Sequence, residues 1–88
     1  GEIAVNSIYP NPVTNTVNLD FDLKNKSEIS FAMYDLQGKI AQNFSSKSFF
    51  EGSNITTLDF SKLNTGLYFL KIYNDNFDLT FPIEKVKY

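Results

Sequence analysis

The chain has 88 residues, eight Lys with no Arg, ten Asp or Glu, and a formal net charge of -2; it can build one core, and it lacks the guanidinium fork that grips nucleic-acid phosphate. Neither Cys nor His occurs, which removes disulfides, the imidazole base and the common zinc and haem ligand sets. Hydrophobic residues make up 42% and aromatics 16%, a weighting that suits strands, and no apolar run approaches the roughly 18–20 residues of a membrane span.

In chain order, Ile3, Val5 and Ile8 form a first short strand, stopped by Tyr9-Pro10-Asn11-Pro12. Both prolines lack an N–H and push the preceding residue towards extended geometry, so this segment is a rigid turn or strand exit. Val17, Leu19, Phe21 and Leu23 then alternate with Asn18, Asp20, Asp22 and Lys24, the pattern of a strand with one core face and one solvated face. After the polar turn Lys24–Ser27, Ile29, Phe31 and Met33 repeat that period. Gly38 sits where a tight loop needs a residue tolerant of positive φ, and Ile40 restarts the apolar pattern.

From Ile40 to Phe50 the period blurs, which reads as a strand, a polar loop and a strand remnant. Phe49 and Phe50 are adjacent, so in extended backbone one of them points away from the core. Thr56, Leu58 and Phe60 lead into Leu63-Asn64-Thr65-Gly66-Leu67-Tyr68, followed by Leu70 and Ile72. The Leu-x-x-Gly-x-Tyr order matches the corner of immunoglobulin-like sandwiches, where the chain changes sheets and a Tyr bonds back to upstream backbone near Leu63; a plain hairpin turn is the alternative. Asn74-Asp75-Asn76 is a further turn. Leu79, Phe81 and Ile83 then alternate on a last strand that Pro82 places at a sheet edge.

About seven strands with turn signals every 8–12 residues predict an all-β, immunoglobulin-like antiparallel β-sandwich. One monomeric domain over residues 1–88 is expected. Its core is drawn from Leu19, Phe21, Phe31, Met33, Leu58, Phe60, Tyr68, Leu70, Ile72 and Phe81.

No catalytic set emerges. Asp20 and Asp22 share a strand face as paired carboxylates would, but they lie on the solvated side of an alternating strand. Asn74, Asp75, Asn76 and Asp78 bring oxygen ligands together without the calcium-loop pattern, and Ser45, Ser46 and Ser48 have only Lys47 beside them in place of a base. Asn25, Asn43 and Asn54 open glycosylation-type triplets, a pattern that Asn- and Ser-rich chains produce by chance. Tyr34, Tyr73 and one of Phe49 or Phe50 are candidate platforms for a sugar ring, which sets a carbohydrate-binding or adhesion module as the alternative function. No cofactor, metal or nucleic acid is expected.

Three segments in order carry a family resemblance: Tyr9-Pro10-Asn11-Pro12 with Val17-x-Leu19, Met33 to Lys39 around Gly38, and Leu63 to Ile72 with Gly66 and Tyr68. Together they resemble the C-terminal sorting domain of the type IX (Por) secretion system of Bacteroidetes. The resemblance implies a non-catalytic signal at the end of an exported protein. It further implies recognition by an outer-membrane translocon, removal in many cases by a sortase-like peptidase, and passage through the periplasm to the cell surface or medium.

Gly-Glu-Ile-Ala-Val does not open like a signal peptide, and Gly1 reads as the start of a module cut from a longer cargo protein. A recognised signal needs an accessible edge. Pro82, Ile83, Glu84, Lys85, Val86, Lys87 and Tyr88 are therefore the candidate partner-binding residues. Because the apolar alternation stops at Ile83, Glu84 to Tyr88 are expected to be little buried, and they depart from the Lys-rich apolar tail on which such domains often finish.

Overall fold

The computed structural model describes residues 2–87. Among them the strands are β1 (Ile3–Tyr9), β2 (Thr16–Leu23), β3 (Ser27–Tyr34), β4 (Ile40–Asn43), β5 (Lys47–Phe49), β6 (Gly52–Asp59), β7 (Gly66–Tyr73) and β8 (Asp78–Lys85). They form two antiparallel sheets, one ordered β1-β2-β6 and the other β4-β3-β7-β8, with β5 also paired to β3. The all-β, immunoglobulin-like sandwich read from the sequence is what the chain forms. The strand count is eight rather than about seven. The extra one arises because β4 pairs with the end of β3 while β5, beyond the polar Phe44–Ser46 break, pairs with its beginning.

Period-two patterning accounts for the layers. On β2, Val17, Leu19, Phe21 and Leu23 are buried and the residues between them are not. Ile29, Phe31 and Met33 on β3, and Tyr68, Leu70 and Ile72 on β7, face them across the sandwich. Ala32 is also fully buried, although it lies on the outer face of its sheet. Its cross-strand neighbours, Asn43 on β4 and Lys71 on β7, are longer side chains that flank a methyl group. On β1 the spacing of Ile3, Val5 and Ile8 changes from two to three. The structure places a bulge between Val5 and Ser7, where one extra residue restores the inward phase of Ile8.

Nine of the ten expected core residues are buried; Phe81 is only half-buried, packed against the core from the edge strand β8. The core also takes in Val13, Val17, Leu23, Ile29 and Ile83. Phe49 turns inward and meets Phe21 edge-on at 5.1 Å and Phe31 at 6.3 Å, whereas Phe50 points away and is 74% exposed. Such edge-to-face pairs align the positive rim of one ring with the negative face of another.

The β6–β7 connection is the sheet-changing corner, since its two strands lie in different sheets. Leu63 N donates to the Phe60 carbonyl at 3.0 Å, and the Tyr68 hydroxyl donates to the Asn64 carbonyl at 2.7 Å, backbone near Leu63 as expected. Gly66 has φ 153° and Gly38 φ 83°, values that side chains with a Cβ rarely adopt.

Two stability outcomes follow from this packing. Leu70→Ala or Phe31→Ala should cost about 2–5 kcal/mol through lost burial and a residual cavity, read as a lower urea midpoint with an unchanged slope. Tyr68→Phe retains the ring but leaves the Asn64 carbonyl without its donor, and should cost about 0.5–1.5 kcal/mol in the same experiment.

Candidate partner-recognition edge

β8 pairs with β7 along its full length, from Tyr73↔Asp78 to Gly66↔Lys85. Its other side is the edge of the sheet, as Pro82 predicted. That side is not open throughout. Val13 N donates to the Glu84 carbonyl at 2.8 Å, and Val86 N donates to the Val13 carbonyl at 2.9 Å, which makes a parallel bridge between Val13 and Lys85. One step back, the Asn11 side chain substitutes for a strand: its Nδ2 donates to the Pro82 carbonyl at 3.1 Å and its Oδ1 accepts from Glu84 N at 3.0 Å.

These bonds show that residues 82, 84 and 86 turn their backbone outward, in the alternation of an antiparallel strand. Pro82 therefore presents its missing N–H to the side where no strand pairs, which is where a sheet tolerates proline. Tyr9-Pro10-Asn11-Pro12 ends β1 as its prolines require, with both X-Pro bonds cis. Its Asn then carries the segment onto the opposite sheet.

The expectation that Glu84 to Tyr88 contribute little burial is overturned at Lys85 and Val86, while the side chains of Glu84 and Lys87 are exposed as expected. Lys85 is only 7% exposed and Val86 is half-buried, while the backbone of Glu84 and Val86 is bonded to Val13. Lys85 keeps the inward register of Phe81 and Ile83, so its aliphatic stem lies along the core as lysine stems do. Tyr88 lies outside the described residues. Of the remaining candidates, Ile83 is fully buried, and Pro82, Glu84 and Lys87 offer exposed side chains.

Val13 and the side-chain role of Asn11 were missed by sequence reasoning. Their partners are more than 70 positions away, with separations of 71 and 73 for the two Asn11 bonds. The signal for Val13 was an isolated apolar residue within a polar loop. That for Lys85 was its place in the odd-numbered register of β8.

The structure brings the other sequence motifs to separate places. Gly38 closes the β3–β4 turn, where Asp35 Oδ1 accepts from Gln37 N at 2.9 Å and Lys39 N at 3.0 Å. Leu63, Gly66 and Tyr68 build the corner beside the end of β8. Asp22 accepts from the Asn6 amide at 2.9 Å and the Ser53 hydroxyl at 2.8 Å, and these two bonds hold its carboxyl below the ordinary 3.8. Asp59 is lowered likewise, chiefly by Ser61 N. Both shifts run opposite to those of a general acid poised near neutrality.

Asn74 Oδ1 accepts from Asn76 N and Phe77 N and so is committed to the turn. Tyr34 and Tyr73 share the outer face of the second sheet, but the Lys71 ammonium stands over both rings, 5.9 and 4.8 Å from their centroids.

Residues 7–83 match the secretion system C-terminal sorting domain. The chain belongs to this family. It is thus a C-terminal sorting signal of type IX secretion, a family that implies a Bacteroidetes origin, dealings with the secretion machinery, and export to the cell surface or medium. The match spans the Pro-Asn-Pro turn, the Gly38 turn and the corner, and stops at Ile83. No curated protein and no solved structure matches the chain.

The Asn11 clasp has a measurable consequence. Asn11→Ala removes two exposed hydrogen bonds and should cost about 1 kcal/mol, with amide exchange at Glu84 accelerated and exchange in β2 scaled only by global stability. Asn11→Asp keeps an acceptor for Glu84 N and should restore most of that protection.

Proposed function

We propose that this sorting domain acts as a non-catalytic recognition module over residues 1–88. In this reading it is carried at the C-terminus of a secreted cargo, crosses the periplasm folded, and is read by the outer-membrane translocon through contacts at Pro82 to Tyr88. A sortase-like peptidase then removes it in those cargoes that are processed, and the isolated domain is monomeric.

The observation that carries the reading is the family match together with a terminal strand held rigid by Asn11 and Val13 while displaying Pro82, Glu84 and Lys87. A recognised surface that is already ordered spares its partner the entropy of fixing a loose peptide. A non-catalytic role is supported by a chain that has no His or Cys and whose two shifted carboxylates are both shifted down.

The clasp changes how the signal must be tested. Deleting Glu84 to Tyr88 would also release Val13, so loss of export after truncation would mix misfolding with lost recognition. Substitution of exposed side chains separates them. Fused behind a signal peptide and a soluble passenger in a bacterium with type IX secretion, the intact domain should carry the passenger outside the cell. Glu84→Ala with Lys87→Ala should reduce export severalfold without changing the melting temperature. Asp20→Asn with Asp22→Asn should export normally. A passenger that stays in the periplasm behind a folded, intact domain overturns the reading; unchanged export by the Glu84/Lys87 variant overturns the placement of the signal.

A further inference from the structure

The end of the sandwich where β8 finishes holds a groove of about 880 Å³ between residues 14–15, the corner and residues 85–87. Thr14, Asn15, Asn64 and Thr65 supply hydroxyls and amides to its walls, and the cations there are Lys62, Lys85 and Lys87. Among the described residues no carboxylate lines it, on a chain whose net charge is -2. Opposite Lys85 in the β7–β8 ladder stands Gly66, which puts no side chain beside the lysine stem.

Lys85 is the unusual member. The residue is only 7% exposed, yet its ammonium has one hydrogen bond, a long 3.4 Å contact with the carbonyl of the next residue, Val86. Among the described residues no carboxylate lies within ion-pair distance of it; the ion pair found there is Lys71 with Asp78. An ammonium has three donors, and one long bond leaves most of that capacity directed into the groove. Lys62 is partly engaged, since its charge also helps to lower Asp59. Lys87 is exposed.

A second hollow, of about 580 Å³, adjoins the first through Thr65, Lys85, Val86 and Lys87 and adds Gly66, Glu84 and Leu67, the last 44% exposed. The lysine-lined groove therefore runs into a hollow whose apolar side chains are Leu67 and Val86 and whose one carboxylate is that of Glu84. Phosphate is a poor match for the first: it has no guanidinium fork and, in an all-β chain, no helix N-terminus to cradle a tetrahedral anion. We infer that this end of the domain binds an acidic peptide segment of a protein partner, with a carboxylate at Lys85 and Lys87 and a neighbouring apolar side chain against Leu67 and Val86. This deepens the sorting reading by giving the chemistry of the partner. It depends on that reading for its setting, whereas the binding itself is separately measurable.

A bland role competes with it: an inward-pointing charge on an edge strand deters pairing with another chain. The two are told apart by titrating the whole domain, followed by amide shifts, with three probes. These are a short blocked peptide of glutamates and leucine, the same peptide with glutamines, and inorganic phosphate. The glutamate peptide should give saturable shifts at Thr65, Lys85 and Lys87, weakened by added salt. The glutamine peptide should not.

Lys85→Met keeps the buried stem and should weaken binding by about ten- to a hundred-fold, the worth of a charge-assisted hydrogen bond. If that variant does not fold, exposed Lys87→Gln should still weaken binding severalfold. Absence of saturable shifts with the glutamate peptide, equal binding of the glutamine peptide, or a stronger response to phosphate each overturns the inference. Export by a domain that fails to bind would overturn this inference alone, whereas binding without export would count against the sorting reading.

Discussion

The outer side of β8 is the constraint on which the closing of this sandwich turns. A small chain without cysteines must join two sheets by backbone and packing alone, and the last strand leaves a row of peptide groups with no strand to pair with. Asn11 and Val13 satisfy that row from Pro82 to Val86. Because they follow β1 and precede β2, the same four bonds also tie the first sheet to the second. The second tie is the β6–β7 corner at the same end, where Phe60 N reaches the Asn15 carbonyl at 2.7 Å and extends the β2–β6 ladder. Both ties therefore draw on one short segment, residues 11–15. Val13 and Val17 anchor it by burying their side chains completely.

Much of this was legible in the sequence where the physics is local. Alternation marked β2, β3 and β7 because each buries one face, and Gly38, Gly66 and Tyr68 marked turns because only certain residues adopt or bridge those backbone shapes. The corner was legible down to the direction of the Tyr68 bond and the stretch of backbone that accepts it, near Leu63. The part that failed was non-local. Tyr9-Pro10-Asn11-Pro12 reads locally as a stop, and it is one. That Asn11 then imitates a strand for residues at the far end of the chain depends on a register set by folding, and no short-range pattern encodes it. The same limit explains the tail. Glu84, Lys85 and Val86 break the apolar alternation, so burial was not expected, yet Lys85 buries its stem and Val86 is half-buried, with backbone bonds at Glu84 and Val86.

Family membership and physical structure divide the chain at slightly different points. The family match stops at Ile83, whereas ordered backbone pairing continues to Val86. Residues beyond the match are thus part of the folded unit. For the proposed recognition, this means the reader meets a strand and not a loose peptide. Engaging Pro82, Glu84 and Lys87 from outside leaves the clasp intact. Pulling the tail free would break the bonds at Glu84 and Val86, and each would cost a partner about 1 kcal/mol before any new contact formed.

Lys85 shows where these constraints meet. At the end of an edge strand an apolar residue in the same register would add burial and would also extend a sticky edge; a lysine avoids the second at some expense of the first. That argument alone would be satisfied by an ammonium that reached open water or a surface carboxylate. Here the stem is buried and the ammonium opens onto a groove walled by hydroxyls, amides and two further lysines. The ammonium therefore keeps donors free for the acidic partner proposed here. Edge protection accounts for a charged residue here, and the acidic partner proposed above would account for a positive one kept beside Lys62 and Lys87.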